Sequence, residues 1–128
     1  MWNLIKTNVF TVKIVKEVCE MRFLQDLYLG DSIVPKVNRI VKKIINNQIL
    51  PELYLITIAL NPENMLDIIP EWEVTQKGYP KDKLMVIGIT EGKKDAIDLV
   101  QSIVKESLDC TGSADVRAYL SKKWEGQI

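Results

Sequence analysis

The residues of this chain best suited to chemistry gather after two apolar stretches. Asn61, Glu63, Asn64 and Asp67 follow residues 53–59, and Thr90, Glu91, Gly92, Lys93 and Lys94 follow residues 84–89. If those stretches are parallel strands of an open α/β sheet, both groups lie at its carboxyl edge, where such sheets bind ligands. The candidate ligand-binding residues are therefore Asn61, Asn64, Asp67, Thr90, Gly92 and Lys93. The run Thr90-Glu-Gly-Lys-Lys94 at a helix start could hold an anion on free amides and two ammonium groups. Glu91 would oppose that anion, and the spacing is neither a P-loop nor a dinucleotide fingerprint, so an ordinary solvated first turn is the plainer reading. Asp67, between Leu66 and Ile68, reads as a partly buried carboxylate held by a structural hydrogen bond. Glu63 and Asp67 are spaced to share a helix face, but two acids fall short of what a hard cation recruits.

The sequence contains no histidine. Ser-His and Cys-His pairs and imidazole ligation are thereby removed, leaving carboxylates, Lys or Tyr for any acid–base work. Cys19 and Cys110 stand alone, without CxxC spacing, and read as reduced thiols packed as small hydrophobes. The expectation is no catalytic set, no cofactor and no metal.

Those candidate residues need a scaffold, and 128 residues, 47% hydrophobic and 27% charged, suffice for one ordered domain with a single core. Within it we expect a helical hairpin over residues 1–50, a βαβα core over 51–109 and a C-terminal helix over 113–124. Apolar positions at spacings of three and four predict a first helix from about Asn8 to Leu29, although residues 10–14 also alternate like a strand. Gly30 is its expected stop. A second helix, capped by Asp31 or Ser32 with Pro35 in its first turn, runs to about Asn47, with Val37, Ile40, Val41, Ile44 and Ile45 as its stripe. Residues 53–59 and 84–89, nearly free of polar alternation, predict strands covered on both faces. Asn61-Pro62-Glu63 carries helix-start chemistry, so a helix is expected from Asn61, kinked or divided at Pro70. A long helix around Ala96–Leu108 by number 96–108, and a last one capped by Ser113, complete the chain.

The fold class expected is α/β: an N-terminal helical hairpin packed with a small parallel βαβα unit. Two parallel strands leave both sheet edges unpaired. Three covers are open to them: an extended stretch from Phe10 to Val15, a loop or helix laid along the edge, or the same strand from a second copy, and the homodimer is the favoured one, with Trp2, Trp72 and Trp124 as apolar surface for an interface.

The stretch Leu53-Tyr-Leu-Ile-Thr-Ile-Ala-Leu-Asn-Pro-Glu-Asn-Met-Leu-Asp-Ile68, followed by Leu84-Met-Val-Ile-Gly-Ile-Thr-Glu-Gly-Lys-Lys-Asp-Ala96, resembles a loose group of small uncharacterised proteins from anaerobic Gram-positive bacteria. The shared features are a hydrophobic strand, a polar turn, Leu-Asp-Ile, then a Val-Ile-Gly strand and a helix. The resemblance covers about 55 residues and implies a similar βαβα core, with no activity attached.

Charge is balanced overall but uneven: residues 1–50 hold eight Lys or Arg against four acids, and residues 51–128 nine against thirteen. That asymmetry is modest beside the basic faces of nucleic-acid binders, and Lys36, Arg39, Lys42 and Lys43 read as the wet face of a helix. No stretch suggests export or a membrane span, so the expected location is cytoplasmic. The functional expectation is a non-enzymatic interaction or accessory module, with a possible protein partner. Two alternatives stand beside it: a small-ligand or phosphate-binding domain at the strand ends, and nucleic-acid binding through the basic second helix.

Overall fold

The computed structural model describes residues 21–126. Its elements in chain order are β1 (Arg22–Leu29), α1 (Val37–Ile45), β2 (Leu53–Ile58), β3 (Leu66–Pro70), α2 (Glu71–Val74), β4 (Met85–Glu91), α3 (Lys93–Thr111) and α4 (Val116–Gly126). The protein is mixed α/β, and the four strands among the described residues form one sheet in the order β1-β4-β2-β3. β1 runs parallel to β4, whereas β2 is antiparallel to both β4 and β3.

Three expectations need correction. The two central strands are antiparallel, because the chain reverses once more between them by forming β3. No helix begins at Asn61. Asn61 Oδ1 does accept the Glu63 amide at 2.9 Å, and the Asn64 amide donates to the Asn61 carbonyl at 3.0 Å, but this closes a hairpin turn. An Asn side chain bonding two residues ahead serves a turn as well as a helix cap, so the local chemistry was ambiguous. Pro70 then ends β3 and provides the extended residue before α2.

The third correction concerns the helical hairpin. Residues 22–29, expected to finish a helix, form β1, while residues 8–20 of that expected helix lie outside the described residues. β1 mimics helical spacing because it is irregular. Phe23 stands opposite Val86 and Tyr28 opposite Gly88, so residues 24–27 all bulge past Ile87. Phe23, Leu24 and Leu27 are consequently all buried, at helix-like intervals. Gly30 ends a strand: its amide donates to the Ile89 carbonyl at 2.9 Å. Of the expected hairpin, the second limb is present as α1, with all five stripe residues buried.

Both faces of the sheet are covered. A methyl group on Gly88 would lie 3.4 Å from Leu99 Cδ2, so α3 packs on the face shared by Gly88, Ile56 and Ile68. The opposite set, Leu53, Leu55, Ile69 and Ile89, is equally buried, and the stripe residues of α1 belong to the same apolar core. Behind α1, the Leu50 amide donates to Glu71 Oε1 at 2.7 Å and ties the approach to β2 onto α2. At the other end of the chain Asp115 Oδ1 accepts the Ala118 amide at 3.1 Å and caps α4, with Ser113 Oγ one step earlier on the Asp115 amide at 3.0 Å.

Candidate functional site

Antiparallel pairing of β2 and β4 divides the six candidate residues. Asn61 and Asn64 lie in the β2–β3 turn and Asp67 lies on β3 opposite Thr57. Thr90 lies near the end of β4, opposite Tyr54, and Gly92 and Lys93 follow that strand, whose end stands beside the start of β2, with Leu53 opposite Glu91. The length of β2, roughly 17 Å at 3.3 Å per residue, separates the two groups. They do not form one crevice. Thr90 is fully buried and the Gly92 amide is spent on the Glu52 carbonyl at 2.8 Å, while Glu91 pairs with Lys36 at 3.7 Å. Among the described residues, no group of three or more acids or cysteines is placed to hold a metal ion. On α1, Arg39 and Lys42 are exposed and Lys43 is half-buried.

The densest titratable cluster is elsewhere and joins β1, α3 and α4. Tyr28 and Tyr119 both donate to Glu106 Oε2, the latter at 2.6 Å, and Lys123 Nζ donates to the Tyr28 hydroxyl at 2.9 Å. Lys123 also lies 3.6 Å from Glu106 and 3.9 Å from Asp26. A shallow cavity of about 310 Å³, lined by Leu24, Gln25, Asp26, Lys123 and Gly126, opens alongside. Burial, then the Glu106 bond and charge, push the Tyr28 hydroxyl far above its usual range, and burial and Glu106 act alike on Tyr119. Burial alone would raise Glu106, but the two tyrosine donors and the Lys123 ammonium outweigh it and hold the carboxyl below its usual range. A general base poised near neutrality needs the opposite shift. The cluster is therefore fixed in one protonation state at neutral pH, well suited to tying three elements together.

A second long-range tie fixes the hairpin. The Arg117 Nη2 donors are shared by the carbonyls of Ala59 at 2.7 Å, Asn61 at 3.1 Å and Asn64 at 2.7 Å. This single guanidinium at the start of α4 holds the turn that presents β3.

Among the described residues β3 is an edge strand, and the hydrogen-bond parity of its neighbours fixes which groups turn outward. The Ala59 amide bonds the Met65 carbonyl at 3.1 Å, and the Gly92 amide bonds the Glu52 carbonyl at 2.8 Å. Alternation along β2 then assigns Leu55 and Thr57 to β3, and Tyr54 and Ile56 to β4. On β3, Asp67 and Ile69 face β2, so the amides and carbonyls of Leu66 and Ile68 turn outward. Pro70 falls on the outward set, where its missing amide costs the sheet nothing. Large apolar side chains frame this edge: Leu60 is 49%, Met65 45% and Trp72 45% exposed.

α3 adds to the same side. At about 100° per residue, Glu106 lies on one flank of buried Ile103, and Ile97, Val104 and Leu108 lie on the other. Glu106 reaches Tyr28 on β1, so the second flank overlooks β3, and there Ile97 and Leu108 are exposed. Neither this stripe nor the Glu106 cluster was anticipated; the cluster joins residues 78 positions apart, with no local signal. Among the described residues, no helix is long and apolar enough to cross a membrane. No protein-family model matches this chain, and neither the curated proteins nor the solved structures contain a significant match to it.

Proposed function

We propose that this chain is a non-enzymatic interaction module that docks a protein partner along the β3 edge. The observation that carries the reading is the coincidence, on one side of the molecule, of outward backbone groups on Leu66 and Ile68 with exposed Leu60, Met65, Trp72, Ile97 and Leu108. An open edge with apolar flanks is the surface on which β-augmentation acts, with backbone bonds supplying affinity and side chains specificity. The protonation states of the Glu106 cluster support the same reading, since its tyrosines are held neutral and its carboxyl ionised. Completion of the sheet by a second copy is one form such docking takes.

The test is photo-crosslinking in cells from positions 65 and 72, with exposed Lys122 on α4 as the control position. Adducts to a protein from the first two positions and not from the control are expected. Equal adducts from all three, or none from positions 65 and 72, would refute the reading.

A further inference from the structure

We infer that the strand docking on the β3 edge is an extended segment of another protein in which a Lys or Arg stands between two aliphatic residues. The inference rests on the edge reading above and specifies the partner's chemistry. Only Leu66 and Ile68 offer both a donor and an acceptor outward; Pro70 has no amide, and as the residue that caps α2 its carbonyl begins that helix's ladder. Four backbone bonds over two residues give little selectivity, so the side chains on the two faces of the edge decide what binds.

Those faces differ in chemistry. Asp67 stands opposite Thr57 and shares the face of Leu55 and Ile69. Burial, then the charges of Glu73 and Asp67, push the Tyr79 hydroxyl up, so both carboxylates act on one neighbourhood. Among the described residues no Lys or Arg pairs with Glu63, Asp67 or Glu73, and Lys81, which acts on Glu71, donates to Asn47 Oδ1. Residues 51–76 as a whole hold five acids and no Lys or Arg. Leu66 and Ile68 point to the other face, toward α3, where positions 97, 101, 104 and 108 read Ile, Gln, Val and Leu and carry no charge.

A strand laid antiparallel on this edge, the stabler pairing per residue, places one residue opposite Asp67 and its two neighbours opposite Leu66 and Ile68. Asp67 turns its backbone toward β2, so on the outer side it makes a non-hydrogen-bonded pair, with Cα atoms about 4.5 Å apart and side chains at their closest. A cation there meets a carboxylate that no cation of the described residues neutralises, and its neighbours add to the apolar surface of Ile68, Ile97 and Leu108. An acid there would face Asp67 as a like charge. A second copy offers its own Leu66-Asp67-Ile68, with aspartate where the edge calls for a cation.

The test titrates the full isotope-labelled chain with two capped peptides, Ser-Thr-Val-Lys-Val-Thr-Ser and the same sequence with Glu in place of Lys, and reads the backbone amides by NMR. The Lys peptide should shift the Leu66 and Ile68 amides and bind roughly fivefold more tightly than the Glu peptide. Asp67→Asn should level the two affinities and Asp67→Lys should reverse them, with far-UV circular dichroism unchanged; if Asp67→Lys misfolds, Asp67→Asn decides. No shift at either amide with millimolar Lys peptide, equal binding of the two peptides, or a preference indifferent to the substitutions overturns the inference. A free chain that sediments as a dimer and protects the Leu66 and Ile68 amides overturns it as well. So does peptide binding that appears only after Lys13→Glu, which would assign the edge to this chain's own residues 12–14. Where the inference fails and positions 65 and 72 still trap a protein, the edge reading stands; where they trap nothing, both fall.

Discussion

Replacing Arg117 by alanine should destabilise the protein and loosen one hairpin in particular. Two Nη2 donors are shared by three carbonyls, those of Ala59, Asn61 and Asn64, and the Ala59 bond is partly buried. A hydrogen bond to a charged group contributes about 1.5–3 kcal/mol when buried. Water replaces the bonds at Asn61 and Asn64, which are exposed, so most of the loss falls on the Ala59 carbonyl and a total of about 2–3 kcal/mol is expected. For a domain of this size that corresponds to a fall in Tm of roughly 8–12 °C. Arg117→Lys keeps the stem and the charge but offers a compact ammonium in place of a planar fork, and should recover less than half of the loss. The assays are thermal unfolding by circular dichroism and amide hydrogen exchange at Ala59 and Asp67, which should lose protection before the amides of β4. A Tm within about 2 °C of the parent, or a uniform loss of protection, would refute the claim that this side chain holds the hairpin.

Burial raises the Glu71 carboxyl above its ordinary value, against smaller lowering effects of the Leu50 amide and Lys81, so the folded state binds that proton more tightly than the unfolded chain. Stability therefore falls as pH rises from about 4.5 through the folded pKa; Glu71→Gln, which keeps an acceptor for Leu50, should abolish the decline and compare more favourably with the parent at pH 7 than at pH 4 in urea titrations. Gly88→Ala places a methyl 3.0 Å from the Tyr28 carbonyl oxygen, and should cost about 1–3 kcal/mol in denaturant unfolding despite alanine's better intrinsic fit to a strand. Tyr28→Phe removes a donor from Glu106, so the Glu106 carboxyl should titrate at higher pH by NMR, with about 1 kcal/mol of stability lost.

How far the fold was legible depended on whether periodicity and packing agreed. α1 was readable because its apolar stripe is the buried one, α3 because Ala96, Leu99, Val100 and Ile103 keep helical spacing toward the core although Leu108 is exposed, and β2 and β4 because strands covered on both faces leave unbroken apolar runs. β1 was not, since its bulge opposite Ile87 buries Phe23, Leu24 and Leu27 together and erases the two-residue period. β3 was hidden by turn chemistry that also starts helices, and missing it reversed the direction of β2 against β4. That reversal is what divided the candidate site. The ties through Arg117, Glu106 and Lys123 join residues from 13 to 95 positions apart, and only the fold brings them together.

The two edges of the sheet differ in what they offer a partner strand. Among the described residues, β1 and β3 are its two margins. β1 does not offer the regular row of donors and acceptors that β3 does, because residues 24–27 bulge away from the ladder opposite a single residue of β4. A bulged strand bends and twists, and this one also carries charged Asp26 beside Lys123. The irregularity that gives β1 its helix-like spacing in the sequence therefore also makes it the poorer edge for strand addition, which is why the proposed docking falls on β3.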